Sequence, residues 1–150
     1  MSDSVTVERF IAAPASAIFD LLADPARHRD IDGSGTVRGA HGKPQRLQLG
    51  SRFGMSMRIG VPYAMESTVV EFEQDRRIAW QTHGPTPLGK LVAGRIWRYE
   101  LEPTDGGTIV RETWDLSKES PLTKPAAKRA AKTTERNMAA TLERIEQLLT

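Results

Sequence analysis

Cysteine is absent from the 150 residues, which excludes a disulfide framework, a thiolate nucleophile and a cysteine-based zinc site. Charge of one sign is also lacking. Lysine and arginine total 21 against 19 acidic residues, a formal net charge of +2, and so balanced a chain gives no electrostatic footprint for nucleic acid. No segment approaches the apolar length of a membrane span. Met1 to Arg9 carries Asp3 and Glu8 rather than the apolar run of a signal peptide. The expectation is a cytoplasmic protein with no stable membrane insertion.

Histidine is scarce, and His28, His41 and His83 stand far apart, without the spacing that places two ligands on one helix face. A metal site is not expected. A calcium loop starting at Asp30 fails at its twelfth position, where His41 replaces the bidentate glutamate. Gly33-Ser34-Gly35 lacks the third glycine of a dinucleotide fingerprint, and its strand-turn-helix context is reversed. No cofactor is implied.

What is present reads as one α+β domain over residues 1–150, with 39% hydrophobic and 27% charged residues. Val5 to Ile11 is a strand stopped by Ala13-Pro14. Ala15, Ile18, Phe19 and Leu22 recur at helical spacing up to Asp24-Pro25, where Asp24 can cap a second short helix. The texture then changes to six strands separated by turns: 36–39, 52–59, 64–73, 77–83, 92–102 and 108–116. Short turns at Asp75-Arg76 and Asp105-Gly106-Gly107 permit antiparallel pairing only, so the strands form a meander. A long helix over 122–149 closes the chain, with Ala127, Ala131, Thr134, Met138, Leu142, Ile145 and Leu149 on one stripe.

Two-residue alternation groups Phe53, Met55 and Met57, then Glu66, Thr68, Val70 and Phe72, then Ile78, Trp80 and Thr82. It also groups Trp97, Tyr99 and Leu101, and then Val110, Glu112 and Trp114. These five sets are expected to face the helix. Glu66 and Glu112 are then carboxylates among aromatics with raised pKa, or else each sits near a strand end or pairs with Arg95 or Arg111. Tyr99, on an inward face, is a better phenol donor than Tyr63. Lys124, Lys128, Lys132 and Arg136 form an i, i+4 row read as a solvated face, with docking on anionic lipid the alternative.

Several segments carry a family resemblance. Ala12-Ala13-Pro14 leads into Ile18-Phe19-Asp20-Leu21-Leu22-Ala23-Asp24, followed by Ile31-Asp32-Gly33-Ser34-Gly35. Val69-Val70-Glu71-Phe72-Glu73 precedes Arg76-Arg77-Ile78-Ala79-Trp80. Trp97-Arg98-Tyr99-Glu100-Leu101 and Gly107-Thr108-Ile109-Val110-Arg111-Glu112-Thr113 complete the set. Together they resemble the polyketide cyclase/dehydrase and lipid-transport family of the START-like (SRPBCC) superfamily. The resemblance implies a helix-grip fold: a curved seven-stranded antiparallel sheet, two short helices and a long C-terminal helix. It also implies unfilled space between sheet and helix.

Ligand-lining candidates, with a packed core the alternative for the aromatic and methionine set, are therefore Met55, Met57, Glu66, Thr68, Val70, Trp80, Trp97, Tyr99, Glu112, Trp114 and Met138. The expected partner is a small hydrophobic molecule, lipid or polyketide-like aromatic, held without catalysis. In the alternative, an aromatase or cyclase, Glu66, Glu112, Tyr99 or His83 would move protons. A co-chaperone-like interaction module is the third class. No catalytic constellation stands out.

Overall fold

A computed structural model of the chain describes residues 3–41, 44–59, 61–84 and 93–150. Strand β1, Ser4–Ile11, leads into helix α1, Ala15–Leu22, a 3-10 turn at Pro25–Arg27 and helix α2, His28–Ile31. Strands β2, Val37–His41, β3, Arg52–Ile59, β4, Val61–Glu73, β5, Arg77–His83, β6, Ala93–Thr104, and β7, Gly107–Asp115, follow. Helices α3, Lys124–Arg129, and α4, Ala131–Leu149, end the chain. The sheet order is β1-β7-β6-β5-β4-β3-β2 and every adjacent pair is antiparallel. This is the expected helix-grip fold.

Local chemistry explains the element boundaries. Pro14 enters α1 with φ −69°, a value its ring imposes. Asp24 caps the next turn by accepting the Ala26 N–H at 3.0 Å. Asp75 and Gly106 reverse the chain at φ 61° and 81°, conformations that glycine adopts without steric cost and aspartate tolerates.

Two expectations need correction. The C-terminal helix is not continuous from Leu122. Thr123 spends its hydroxyl on the Ala93 N–H and on Glu119, α3 starts at Lys124, and Ala130 breaks the run with ψ near 4°. The basic row is not wholly solvated either, because Lys124 and Lys128 both pair with Asp3, at 2.8 and 3.1 Å.

The α4 stripe otherwise holds, with Met138, Leu142 and Ile145 buried beside Thr141. Helix α4 rests on β1, α1 and α2. Gly33 lets the loop after α2 touch α4: a Cβ there would sit 2.3 Å from the Asn137 carbonyl. Its N–H donates to Thr141 Oγ1 at 2.9 Å. Asp32 fixes the same loop by accepting from the Ser34 hydroxyl and the Val37 N–H.

Towards the β4–β5 and β6–β7 turns, Ile78, Leu101 and Val110 are buried with Ile11, Ile18, Phe19, Leu22 and Ile145. Phe72 meets Phe19 edge-on at 5.5 Å. Each such side chain contributes about 1.5–3 kcal/mol of burial free energy, so this end anchors the fold. No helix among the described residues is long and apolar enough to cross a membrane.

Candidate functional site

Cross-strand register defines the inner face. Trp97 lies opposite Trp114 and Tyr99 opposite Glu112 across β6 and β7, while β1 places Val7 beside Glu112. Across β5 and β6, Trp80 lies opposite Trp97, and across β3 and β4, Met55 lies opposite Met65 and Met57 opposite Tyr63. Residues paired in this way share a face. Of the predicted lining residues, Met55, Met57, Trp80, Trp97, Tyr99, Glu112 and Trp114 stand on the inner face, with buried Met138 on α4.

Glu66, Thr68 and Val70 do not. A bulge in β4 shifts the register between Val69 and Glu71, leaving Val70 as an extra residue and reversing the alternation on its N-terminal side. Ser67 and Val69 therefore point inward and are buried, and the Ser67 and Thr82 hydroxyls bond at 2.9 Å. Glu66 is exposed on the outer face, opposite His83 of β5. The four groups proposed as proton carriers are thus split two and two, with Tyr99 and Glu112 together inside.

Glu112 is only 2% exposed and Tyr99 4%, and the two lie directly opposite each other across β6 and β7. Burial pushes the Glu112 carboxyl up to about 8; the facing Tyr99 hydroxyl opposes this shift and the charge of Asp32 adds to it. Burial, and then Glu112, raise Tyr99 well above its usual phenol value. The cations that sequence offered as partners are engaged elsewhere. Arg95 grips Glu119 at 2.6 Å and Arg111 grips Glu8 at 2.6 Å.

Two buried polar atoms lack a hydrogen-bond partner among the described residues: Glu112 Oε1 and Trp114 Nε1. They belong to residues two apart on one strand, hence on one face. The Trp97 and Trp114 rings lie 6.0 Å apart at 35°. Deeper in, Trp80 is 5.6 Å from Tyr99 and stacks on His28 at 4.9 Å.

Sequence reasoning missed His28 as part of this face. The signal was its helical spacing with Pro25 and Ile31, both buried. His28 Nε2 donates to the Leu22 carbonyl at 2.8 Å, and burial lowers its pKa. It is therefore a neutral aromatic wall.

The inner face is unevenly covered. Val37, Met57, Met65 and Trp97 are half-buried and Tyr63 is 37% exposed, so this end is the less covered one. An open hollow bordered by Pro14, Ser16, Arg76 and Gly106 lies at the other end and includes none of these residues.

Comparison with known proteins places this geometry in a family. An uncharacterized Mycobacterium tuberculosis protein, Rv0088, is 41% identical over 107 residues, a stretch covering 70% of this chain and 44% of that protein. The match thus takes in less than half of that relative's length. Protein CV1439 from Chromobacterium violaceum superposes with a TM-score of 0.74 at 14% identity, covering 99% of this chain and 98% of that one. The Aha1 dimer from Colwellia psychrerythraea gives a TM-score of 0.66 at 17% identity, covering 97% and 95%. At such identities the likeness is one of fold. The family described as polyketide cyclase/dehydrase and lipid transport matches residues 2–150, and the chain belongs to it.

Proposed function

We propose that this protein binds a small, largely apolar molecule between the sheet and α4, with the ligand's polar group held by Glu112, Tyr99 and Trp114. The supporting observation is the pair of unpartnered atoms, Glu112 Oε1 and Trp114 Nε1, on one inner face. Leaving a buried polar group without a hydrogen bond costs about 1–3 kcal/mol. A ligand that supplies the partner relieves that cost, whereas a core evolved only for packing gains nothing from it. The surrounding side chains suit the role. Trp97 and Trp114 offer flat apolar walls, and Met55, Met57 and Met138 can repack around varied shapes.

The same Glu112–Tyr99 pair gives the second reading, an enzyme of the cyclase type. A carboxyl that keeps its proton near neutrality is suited to protonating a carbonyl or hydroxyl leaving group. Glu66 and His83, on the outer face, take no part in it. Turnover separates the two readings.

The test uses the full chain, purified gently and examined by native mass spectrometry, then titrated with oleate and flat aromatic ketones. Binding should add a discrete mass, change tryptophan emission and raise Tm. Saturation at about a hundred times Kd corresponds to about 2.7 kcal/mol of stabilisation. Unchanged mass, emission and Tm across the panel would rule out the binding reading.

A further inference from the structure

Resting on that binding reading, we infer that the site selects a neutral carbonyl compound, a ketone, aldehyde or amide, whose oxygen receives two hydrogen bonds, from Glu112 Oε1 and Trp114 Nε1. The argument starts from which atoms can donate. An indole N–H is a donor and nothing else, so the unpartnered Trp114 Nε1 calls for an acceptor. The Glu112 carboxyl is buried, no cation among the described residues acts on it, and Asp32 adds negative potential. All three conditions favour the neutral acid. A neutral carboxyl carries one O–H donor, and the oxygen without a partner is the one free to offer it. Oε1, the atom without a partner, is then a second donor.

Glu112 and Trp114 are separated along β7 by about 7 Å at Cα, two residues of strand rise. Side chains of this length leaving one face can therefore meet a single oxygen. The inner-face cations among the described residues do not offer an anion site. Arg9 pairs with Glu146 at 2.8 Å and Arg95 with Glu119 at 2.6 Å. A carboxylate would be desolvated beside Asp32 with no counter-charge, which is costly. An ammonium group would face two donors. A neutral acceptor fits both atoms.

The experiment compares acetylnaphthalene, naphthoate and ethylnaphthalene, which share one ring system and differ in the polar group. Affinity is read by tryptophan emission and the ketone by its infrared carbonyl band. The ketone should bind about tenfold or more tightly than either of the others, and its carbonyl band should move to lower wavenumber. Trp114→Phe should shrink that band shift and weaken the ketone several-fold more than it weakens ethylnaphthalene, which loses only wall contact. Glu112→Gln retains an N–H donor and a neutral charge. It should keep ketone binding and abolish the loss of affinity that the wild type shows as pH rises past about 8, where Glu112, facing Tyr99 and Asp32, ionises. Naphthoate binding as tightly as the ketone, or an unshifted carbonyl band, overturns the carbonyl assignment while leaving the pocket in place. Failure of all three compounds to bind overturns the pocket as well.

Discussion

The two ends of the gripped sheet are built by opposite rules. At the end nearest α1, Ile11, Ile18, Phe19, Leu22, Ile78 and Val110 are fully covered. The polar side chain among them, Thr108, donates to the Ala13 carbonyl at 2.9 Å. At the end nearest α3, aromatic rings and methionines line the same face, but two polar atoms find no partner among the described residues and several side chains stay half-open. Packing is complete at the first end and incomplete at the second. On the binding reading proposed above, the contrast teaches that stability and ligand binding are separated along the strands rather than between domains.

The largest expected effect tests the open end through its carboxyl. Glu112 ionises near 4.5 when unfolded and at about 8 when folded. Between those values the unfolded chain releases a proton that the folded chain keeps, so stability is full below about 4.5 and falls as pH rises to about 8. The loss amounts to roughly 5 kcal/mol at most. Glu112→Gln, neutral throughout, should match the wild type in urea unfolding near the acid limit and exceed it increasingly toward the alkaline one. A constant difference across that range would place water or a cation at Glu112 and erase the contrast between the ends.

The closed end should respond to truncation instead. Phe19 is fully buried and edge-packed on Phe72, so Phe19→Ala should lower stability by about 3–5 kcal/mol at any pH, read from denaturant midpoints. Affinity of the molecules that remain folded should not change. A loss of binding out of proportion to the unfolded fraction would show that the cavity extends to α1.

Most of the fold was legible because its signals are local: Pro14, Asp24 and Gly106 at the boundaries, alternation in the strands, a 3.6-residue stripe in α4. Tyr99, Glu112, Trp97 and Trp114 were legible for the same reason, since β6 and β7 pair without a shift from Ile96 to Thr104. What could not be read depends on contacts between distant segments. His28 reaches the inner face only because α2 folds back over Trp80. Lys124 and Lys128 are tied down by Asp3, which comes from the other end of the chain. The β4 bulge is the clearest case. No residue between Glu66 and Phe72 is a glycine or proline, the usual marks of broken alternation, so alternation counted back from Phe72 placed Glu66, Thr68 and Val70 on the wrong face.

The smallest effect sharpens that last point, because adjacent valines should behave oppositely. Val69 is 1% exposed and faces inward, whereas Val70 is 37% exposed on the outer face. Threonine has nearly the shape of valine and the same β-branching, so a Val→Thr change tests burial with little change in strand propensity or volume. Val69→Thr places a hydroxyl in the apolar layer beneath Trp80, its cross-strand partner, and should cost about 1–3 kcal/mol. Val70→Thr puts the same hydroxyl in water and should stay within about 0.5 kcal/mol of the wild type. Binding of a ligand at Trp114 should be indifferent to Val70→Thr, since an outward residue cannot line the interior. Unbroken alternation through β4 would exchange the two results, with Val70→Thr costly and Val69→Thr silent. That exchange would return Glu66 and Thr68 to the inner face and set a second carboxyl beside Glu112, so this pair of denaturation curves decides how many acids the open end contains.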